Sequence, residues 1–114
     1  MVHSVSRWYS RRHMPNASAK YKKTINEMFA QHRDLFDEFA HIHTQYEKNP
    51  KKWQEKFNQV GADVMDIMRD FERKLCHGME KGQYASYSAK LADQYWTEIR
   101  MYFPRIDQVG VVVE

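Results

Sequence analysis

The stretch that decides the fold covers residues 50–77, PKKWQEKFNQVGADVMDIMRDFERKLCH. Apolar residues recur in it with the three- and four-residue spacing of one helix face. They are Trp53, Phe57, Val60, Val64, Ile67, Met68, Phe71 and Leu75. Pro50 suits the first turn of a helix and Gly78 suits the position after its end, so we expect a helix from about Lys51 to His77. Gly61 lies beside the apolar stripe, where we expect it to allow a close approach by another helix.

Two further segments share this periodicity. The first runs from about Ala17 to Tyr46 and has a heptad pattern in which His32 is the one polar member. The third runs from about Tyr84 to Phe103 and has a stripe that is richer in Tyr than in aliphatic residues. Pro50 ends the first segment and Pro104 ends the third, because the residue before a proline is pushed out of the helical region.

Short connections between helices of these lengths force antiparallel neighbours. We therefore expect an all-α, antiparallel three-helix bundle with long first and second helices and a shorter third. The expected organisation is a basic arm at 1–16, the bundle at 17–103 and a short apolar tail at 104–114. Because the first two helices outrun the third, apolar surface is left uncovered at one end. The tail can lie across that surface, or it can pair as a strand with another chain.

The composition is that of one small globular domain. The chain has 114 residues and 13.8 kDa, with 42% hydrophobic and 29% charged residues, which argues against disorder. Four Gly and three Pro are too few turn formers for a many-stranded β domain. Aromatic residues make up 14% while the mean hydropathy is −0.84. A few large rings must therefore form the core inside a polar shell, and no apolar run is long enough to span a membrane.

Cysteine content and the start of the chain bear on location. Cys76 is the only cysteine, so no intrachain disulfide can form, which fits a reducing compartment such as the cytoplasm. The first residues lack the apolar core of a secretory signal. The same start contains Arg and Ser and no acid, which is the composition of a mitochondrial transit peptide. The mitochondrial matrix is therefore the alternative location.

Charge is distributed unevenly along the chain. The net charge is +3, but residues 1–26 contain six basic residues and no acid, whereas residues 27–114 contain 12 basic and 15 acidic residues. Cations displace counterions from phosphates and aromatic rings stack on bases, so a basic aromatic arm suits nucleic acid. The candidate nucleic-acid-binding residues are Arg7, Trp8, Arg11, Arg12, Lys20, Lys22 and Lys23. A second basic cluster around Trp53 is expected at the opposite end of the bundle.

Arrangements that could carry chemistry are few. Glu38 and His41 have the Glu-x-x-His spacing of di-iron bundles, but the chain has no second such motif and both should face water. The second helix has an acidic face that should pair with neighbouring cations, formed by Asp63, Asp66 and Asp70. Cys76 and His77 diverge on a helix and make no nucleophile–base pair. We expect no metal, no cofactor and no enzymatic activity.

Two histidines belong to the apolar side of the first predicted helix. His32 lies within its stripe and His43 lies near the stripe's edge. We expect both to be core or interface residues that form hydrogen bonds, rather than metal ligands. Their protonation below about pH 6 should loosen the helix packing.

The predicted function is that of a non-catalytic helical interaction or assembly protein. Such a protein would bind protein partners, or a second copy of itself, through aromatic helix faces, since rings dominate interface energetics. The candidate partner-binding residues flank the stripes and are Phe29, Phe36, Tyr87 and Trp96. The alternative function is nucleic-acid binding through residues 7–23.

Overall fold

The computed structural model describes residues 19–77 and 85–112, which are helical over most of their length. The elements are α1 (Ala19–Gln31), α2 (Arg33–Lys48), α3 (Pro50–Leu75), α4 (Ala85–Tyr102) and a 3-10 turn at Ile106–Gln108. Neither range contains a strand, so the predicted all-α class is confirmed for the described chain. The predicted basic arm at 1–16 lies outside the described residues.

The predicted first helix is in fact two helices that meet at His32. The backbone of His32, with φ −124° and ψ 40°, leaves the helical region. Its amide still donates to the carbonyl of Met28 (3.1 Å), and its carbonyl still accepts from the amide of Phe36 (3.0 Å). Beside the break, the rings of Phe29 and Phe36 meet edge to face with centroids 4.9 Å apart. Because the apolar spacing continues through the break, the sequence predicted one helix where there are two.

Helices α2 and α3 form an antiparallel hairpin that turns at Asn49. The side-chain oxygen of Asn49 accepts a hydrogen bond from the amide of Lys52 (3.3 Å), which caps the start of α3. Stacked rings fill the space between the two helices: Phe57 lies on Tyr46 with centroids 3.9 Å apart and on Phe39 at 5.5 Å. The hairpin is thus held together by aromatic packing, as the composition predicted.

Helices α1 and α4 pack against each other and against the C-terminal part of α3. The hydroxyl of Tyr95 on α4 donates to the carbonyl of Met68 on α3 (2.6 Å) and lies 3.5 Å from the sulfur of Met28 on α1. Burial raises the pKa of Tyr95 above its usual range, and the nearby carboxylates of Glu72 and Asp70 add to that shift. One buried phenol therefore ties three helices together in its neutral form.

After α4 the chain turns back along the α2–α3 hairpin. Phe103 and Ile106 are both 1% exposed and extend the core into the segment after Pro104. The seven largest fully buried side chains are all aromatic, namely Tyr46, Tyr95, Phe29, Phe36, Phe39, Phe57 and Phe103. No described helix combines the length and apolarity that crossing a bilayer requires.

Candidate interaction surfaces

The α2–α3 hairpin has two faces with different surroundings. We call the side contacted by residues 103–112 the tail face, and the opposite side the open face. On α3, Gly61 is buried on the tail face, whereas Val60, about 100° away around the helix, is partly exposed on the open face. The two faces therefore offer different possibilities for binding.

The tail face is anchored by the ring of Phe103. Its centroid lies 5.1 Å from that of Phe39, 5.6 Å from that of His43 and 6.3 Å from that of Phe36. Farther along, the hydroxyl of Tyr46 donates to the side-chain oxygen of Gln108 (2.9 Å). Apolar packing and a specific hydrogen bond thus fix the same segment.

Asn58 holds the end of the tail through both atoms of its amide. Its oxygen accepts from the amide of Gly110 (2.8 Å), and its nitrogen donates to the carbonyl of Val111 (3.1 Å). Gly110 has φ +92°, a conformation that glycine adopts without a steric penalty. This pair of hydrogen bonds fixes the direction of the backbone as it leaves the hairpin.

The sequence had suggested that Gly61 makes room for another helix, but the tightest approach at Gly61 is made by the tail. A Cβ atom on Gly61 would lie 2.8 and 2.9 Å from the two methyl groups of Val109 and 3.4 Å from the ring of Phe39. The glycine therefore allows Val109 to approach the α3 backbone. Of the two arrangements expected for the tail, the structure shows the one in which it lies across the first two predicted helices.

His43 connects the hairpin to the tail through its imidazole. The side chain is buried, and its Nε2 accepts a hydrogen bond from the backbone amide of Arg105 (3.0 Å). The proton of the neutral ring therefore lies on Nδ1, which is 3.8 Å from a carboxylate oxygen of Glu47. Burial lowers the pKa of His43; Glu47 opposes this shift and the charge of Arg105 adds to it. His43 is thus the core residue that the sequence predicted, whereas His32 is only partly buried.

The open face is a seam between α2 and α3 whose base is apolar. Ile42 is buried in the seam, and the apolar residues around it keep part of their surface exposed. These partly exposed residues are Leu35, Trp53, Val60 and Ile67. The ring of Trp53 contacts that of His41 edge to face, with centroids 6.2 Å apart. No described segment covers this seam as the tail covers the other face.

Charged residues border the open face along α3, and their sign changes halfway. On this border the first half of the helix exposes Lys52 and Lys56, and the second half carries Asp63, Asp66 and Asp70, with Lys74 at its end. As predicted, one of the acids pairs with neighbouring cations: Asp70 lies 3.1 Å from Arg73 and 3.4 Å from Lys74. Among the described residues, Asp63 and Asp66 form no such pair.

The four predicted partner-binding residues do not form one surface. Phe29 and Phe36 are 0% exposed, so both rings lie in the core and not on the surface of the described chain. Tyr87 is 47% exposed, whereas Trp96 is half-buried beside Tyr95. Nine helical residues separate Tyr87 from Trp96, which places them on opposite sides of α4. Trp53, which the regular spacing marked as core, packs against the core and keeps part of its surface exposed, as Trp96 does.

Part of the basic cluster predicted to bind nucleic acid lies outside the described residues, namely Arg7, Trp8, Arg11 and Arg12. In α1, Lys20 and Lys23 are exposed and Lys22 is partly buried. Nucleic-acid binding by this cluster stays a prediction.

The residues considered for chemistry are dispersed. Glu38 and His41 are both exposed, as expected. Cys76 is buried with its sulfur 3.8 Å from the carbonyl of Ser88, while His77 is exposed. Within the described part of the chain, no three His, Cys, Asp or Glu residues are grouped so that they could hold a metal ion.

Comparison with known proteins gives no relative for this chain: no family model, curated protein or solved structure matches it.

Proposed function

We propose that this protein is a non-catalytic interaction protein that binds a protein partner through the open face of the α2–α3 hairpin. The observation that supports the proposal is the contrast between the two faces. Phe103 and Val109 of the chain's own tail pack on the tail face, whereas Trp53 and Val60 stay partly exposed on the other. An apolar seam with a charged border is typical of a surface that a partner covers.

The size of the open face is sufficient for a specific complex. At 1.5 Å per residue, α2 and α3 are about 24 and 39 Å long, and each is about 10 Å wide. The shorter helix limits their common face to roughly 480 Å² before side-chain relief is counted, more than half of the about 800 Å² per partner of a typical stable interface. Trp53 provides the kind of ring that contributes most to binding energy.

The proposal is tested with the full-length protein as bait, followed by quantitative mass spectrometry of the bound proteins. The open-face double variant Trp53→Glu/Val60→Glu is compared with wild type and with Thr97→Glu, a control at an exposed position of α4. We expect the double variant to lose the specific partner, whether that partner is the chain itself or another protein, and the control to keep it. Equal retention of every partner by all three proteins would overturn the proposal.

Nucleic-acid binding is the competing function, and a second measurement separates it from the first. The variant Lys20→Glu/Lys22→Glu/Lys23→Glu removes three cations at the start of α1 and leaves the open face unchanged. If the protein bound nucleic acid through this cluster, a labelled single-stranded oligonucleotide would bind in a salt-sensitive way, and the triple variant would weaken that binding. Such a result would favour the competing function if partner binding were also unchanged in the Trp53→Glu/Val60→Glu variant.

A further inference from the structure

We infer that the occupant of the open face is a second copy of this chain, with its α3 packed antiparallel to α3 of the first across a twofold axis at Val60. This inference rests on the proposed function and names the partner for the same surface. Two independent features of α3 support it: the spacing of its partly exposed apolar residues and the order of its charges.

The apolar residues of the open face on α3 are spaced for such a pairing. Trp53, Val60 and Ile67 follow one another at intervals of seven residues, the repeat that keeps two packed helices in register. An antiparallel twofold axis at Val60 places Val60 against its own copy. The same axis places Trp53 against Ile67 of the partner subunit, so that a large ring meets a smaller aliphatic side chain at both ends. This self-complementarity is the defining property of a twofold interface.

The charges of α3 match the same arrangement. Its first half carries Lys52 and Lys56, its second half carries Asp63 and Asp70, and all four lie on one side of the Trp53–Ile67 line around the helix. In an antiparallel pair this side faces the same side of the other copy, so Lys56 lies opposite Asp63 of the partner subunit. Lys52 lies opposite Asp70 of the partner subunit, one turn farther on. A parallel twofold pair would place the charged sides of the two helices on opposite sides of the seam, so that these lysines and aspartates would not meet.

Three of these four groups are free to pair in this way, whereas Asp70 already pairs with Arg73 and Lys74. Among the described residues, Lys52, Lys56 and Asp63 form no ion pair within the chain. All three are exposed and border the seam. Pairing across the interface costs no existing contact for these three groups, and it sets the register of the two helices more than it adds affinity.

The first test is the oligomeric state of the full-length protein by sedimentation velocity over a wide concentration range. We expect a reversible dimer in the wild type. Val60→Glu places two like charges on the twofold axis and should weaken the dimer by about tenfold or more. Val112→Glu, a control on an exposed residue outside the seam, should leave it unchanged. Thermal melts of each variant establish that the monomer fold is retained.

Charge reversal tests the register without disturbing apolar packing. Lys56→Glu alone and Asp63→Lys alone should each weaken the dimer, and the double variant should restore it because the pair is re-formed with opposite signs. As an independent check, Val60→Cys should form a disulfide-linked dimer on mild oxidation, since a residue on a twofold axis meets its own copy. The native Cys76 is buried and serves as the background. Thr97→Cys, on α4, should not cross-link.

The outcomes separate this inference from the proposed function. A strict monomer at every concentration, or a dimer that ignores both Val60→Glu and the charge reversals, would overturn the second-copy assignment. If another protein is then still captured in a manner that depends on Trp53 and Val60, the proposed function stands with a different partner. If neither association depends on these residues, both fail.

Discussion

The two faces of the α2–α3 hairpin are built from the same two helices, yet within residues 19–77 and 85–112 only one of them is covered by another segment. Ten residues after α4 close the tail face through a buried ring, Phe103, and three side-chain hydrogen bonds from the hairpin to the backbone, made by His43 and Asn58. The open face keeps Trp53 and Val60 partly exposed. The apolar pattern of an amphipathic helix therefore determines only part of the surface that becomes buried. Whether the flanks of that pattern are buried depends on other segments, such as the tail, that pack against them. Stability should therefore depend on the tail face, and association on the open face.

Among substitutions that test this difference between the faces, Phe103→Ala is expected to have the largest effect on stability. Its ring is 1% exposed and contacts several buried rings, so Phe103→Ala should lower the free energy of unfolding by about 3–5 kcal/mol. Trp53→Ala, on the partly exposed seam, should cost clearly less although the removed side chain is larger. Urea denaturation followed by circular dichroism measures both. Equal losses would show that the two faces contribute alike to stability.

A smaller effect is expected at Gly61, where helix propensity and packing oppose each other. Alanine is favoured over glycine within a helix by about 1 kcal/mol, but its Cβ would come within 2.8 Å of Val109. We expect Gly61→Ala to be net destabilising by about 1 kcal/mol, because crowding of this kind costs roughly 1–3 kcal/mol. Adding Val109→Ala should reverse the sign, since the crowding disappears and the helix preference remains.

The control for this cycle is Ala62→Gly at the neighbouring exposed position. It should lower stability by its helix-propensity cost, whether or not Val109→Ala is present. A Gly61→Ala protein that is more stable than wild type would show that the tail moves away from α3 at little cost.

Gly61 also illustrates how far the sequence could predict this structure. Its place beside the apolar stripe indicated a close approach, but the approaching group is the tail's Val109, which no periodicity connects to it. Spacing likewise predicted the helical class, the turn at Asn49 and most core positions. It could not reveal the break at His32, because a change of two dihedral angles leaves the apolar pattern intact.

The break at His32 lies between two of the predicted binding residues. The sequence predicted that Phe29 and Phe36 flank the stripe, whereas the structure buries both rings in the core. Conversely, Trp53 was assigned to the interior because it fits the stripe, and it is left partly exposed by the geometry of the hairpin. Which rings are accessible is a tertiary property, decided by what covers each flank.

Near neutral pH, the pH dependence of stability should report on the contact between His43 and the tail. The pKa of His43 is lowered by burial, so the folded protein holds its proton less tightly than the unfolded chain does. The stabilisation from the neutral ring is complete above pH 6.5, the ordinary pKa, and is lost as the pH falls from there toward the lowered folded pKa. Protonation places a hydrogen on Nε2, which can then no longer accept from the amide of Arg105.

The measurement compares urea unfolding at pH 7.5 and 5.5 in wild type and in His43→Gln, whose side-chain oxygen can still accept from Arg105. We expect the wild type to lose more stability on acidification than the variant. His32→Gln, at the partly exposed histidine, is the matched control and should keep the wild-type pH dependence. An identical pH dependence in wild type and His43→Gln would show that this imidazole does not set it.

The smallest effect on stability, and the one that separates the faces most sharply, is expected at Lys56. The side chain is exposed and forms no ion pair with the described residues, so Lys56→Glu should change the unfolding free energy of the monomer by less than about 0.5 kcal/mol. At a protein concentration below the dissociation constant of the dimer, the unfolding free energy of the variant should therefore nearly equal that of wild type. At high concentration the variant should appear less stable than wild type, because binding of a second copy adds to apparent stability by mass action. If the unfolding free energies of variant and wild type differed by the same amount at both concentrations, Lys56 would act within the monomer. Lys56 would then not contribute to association through the open face.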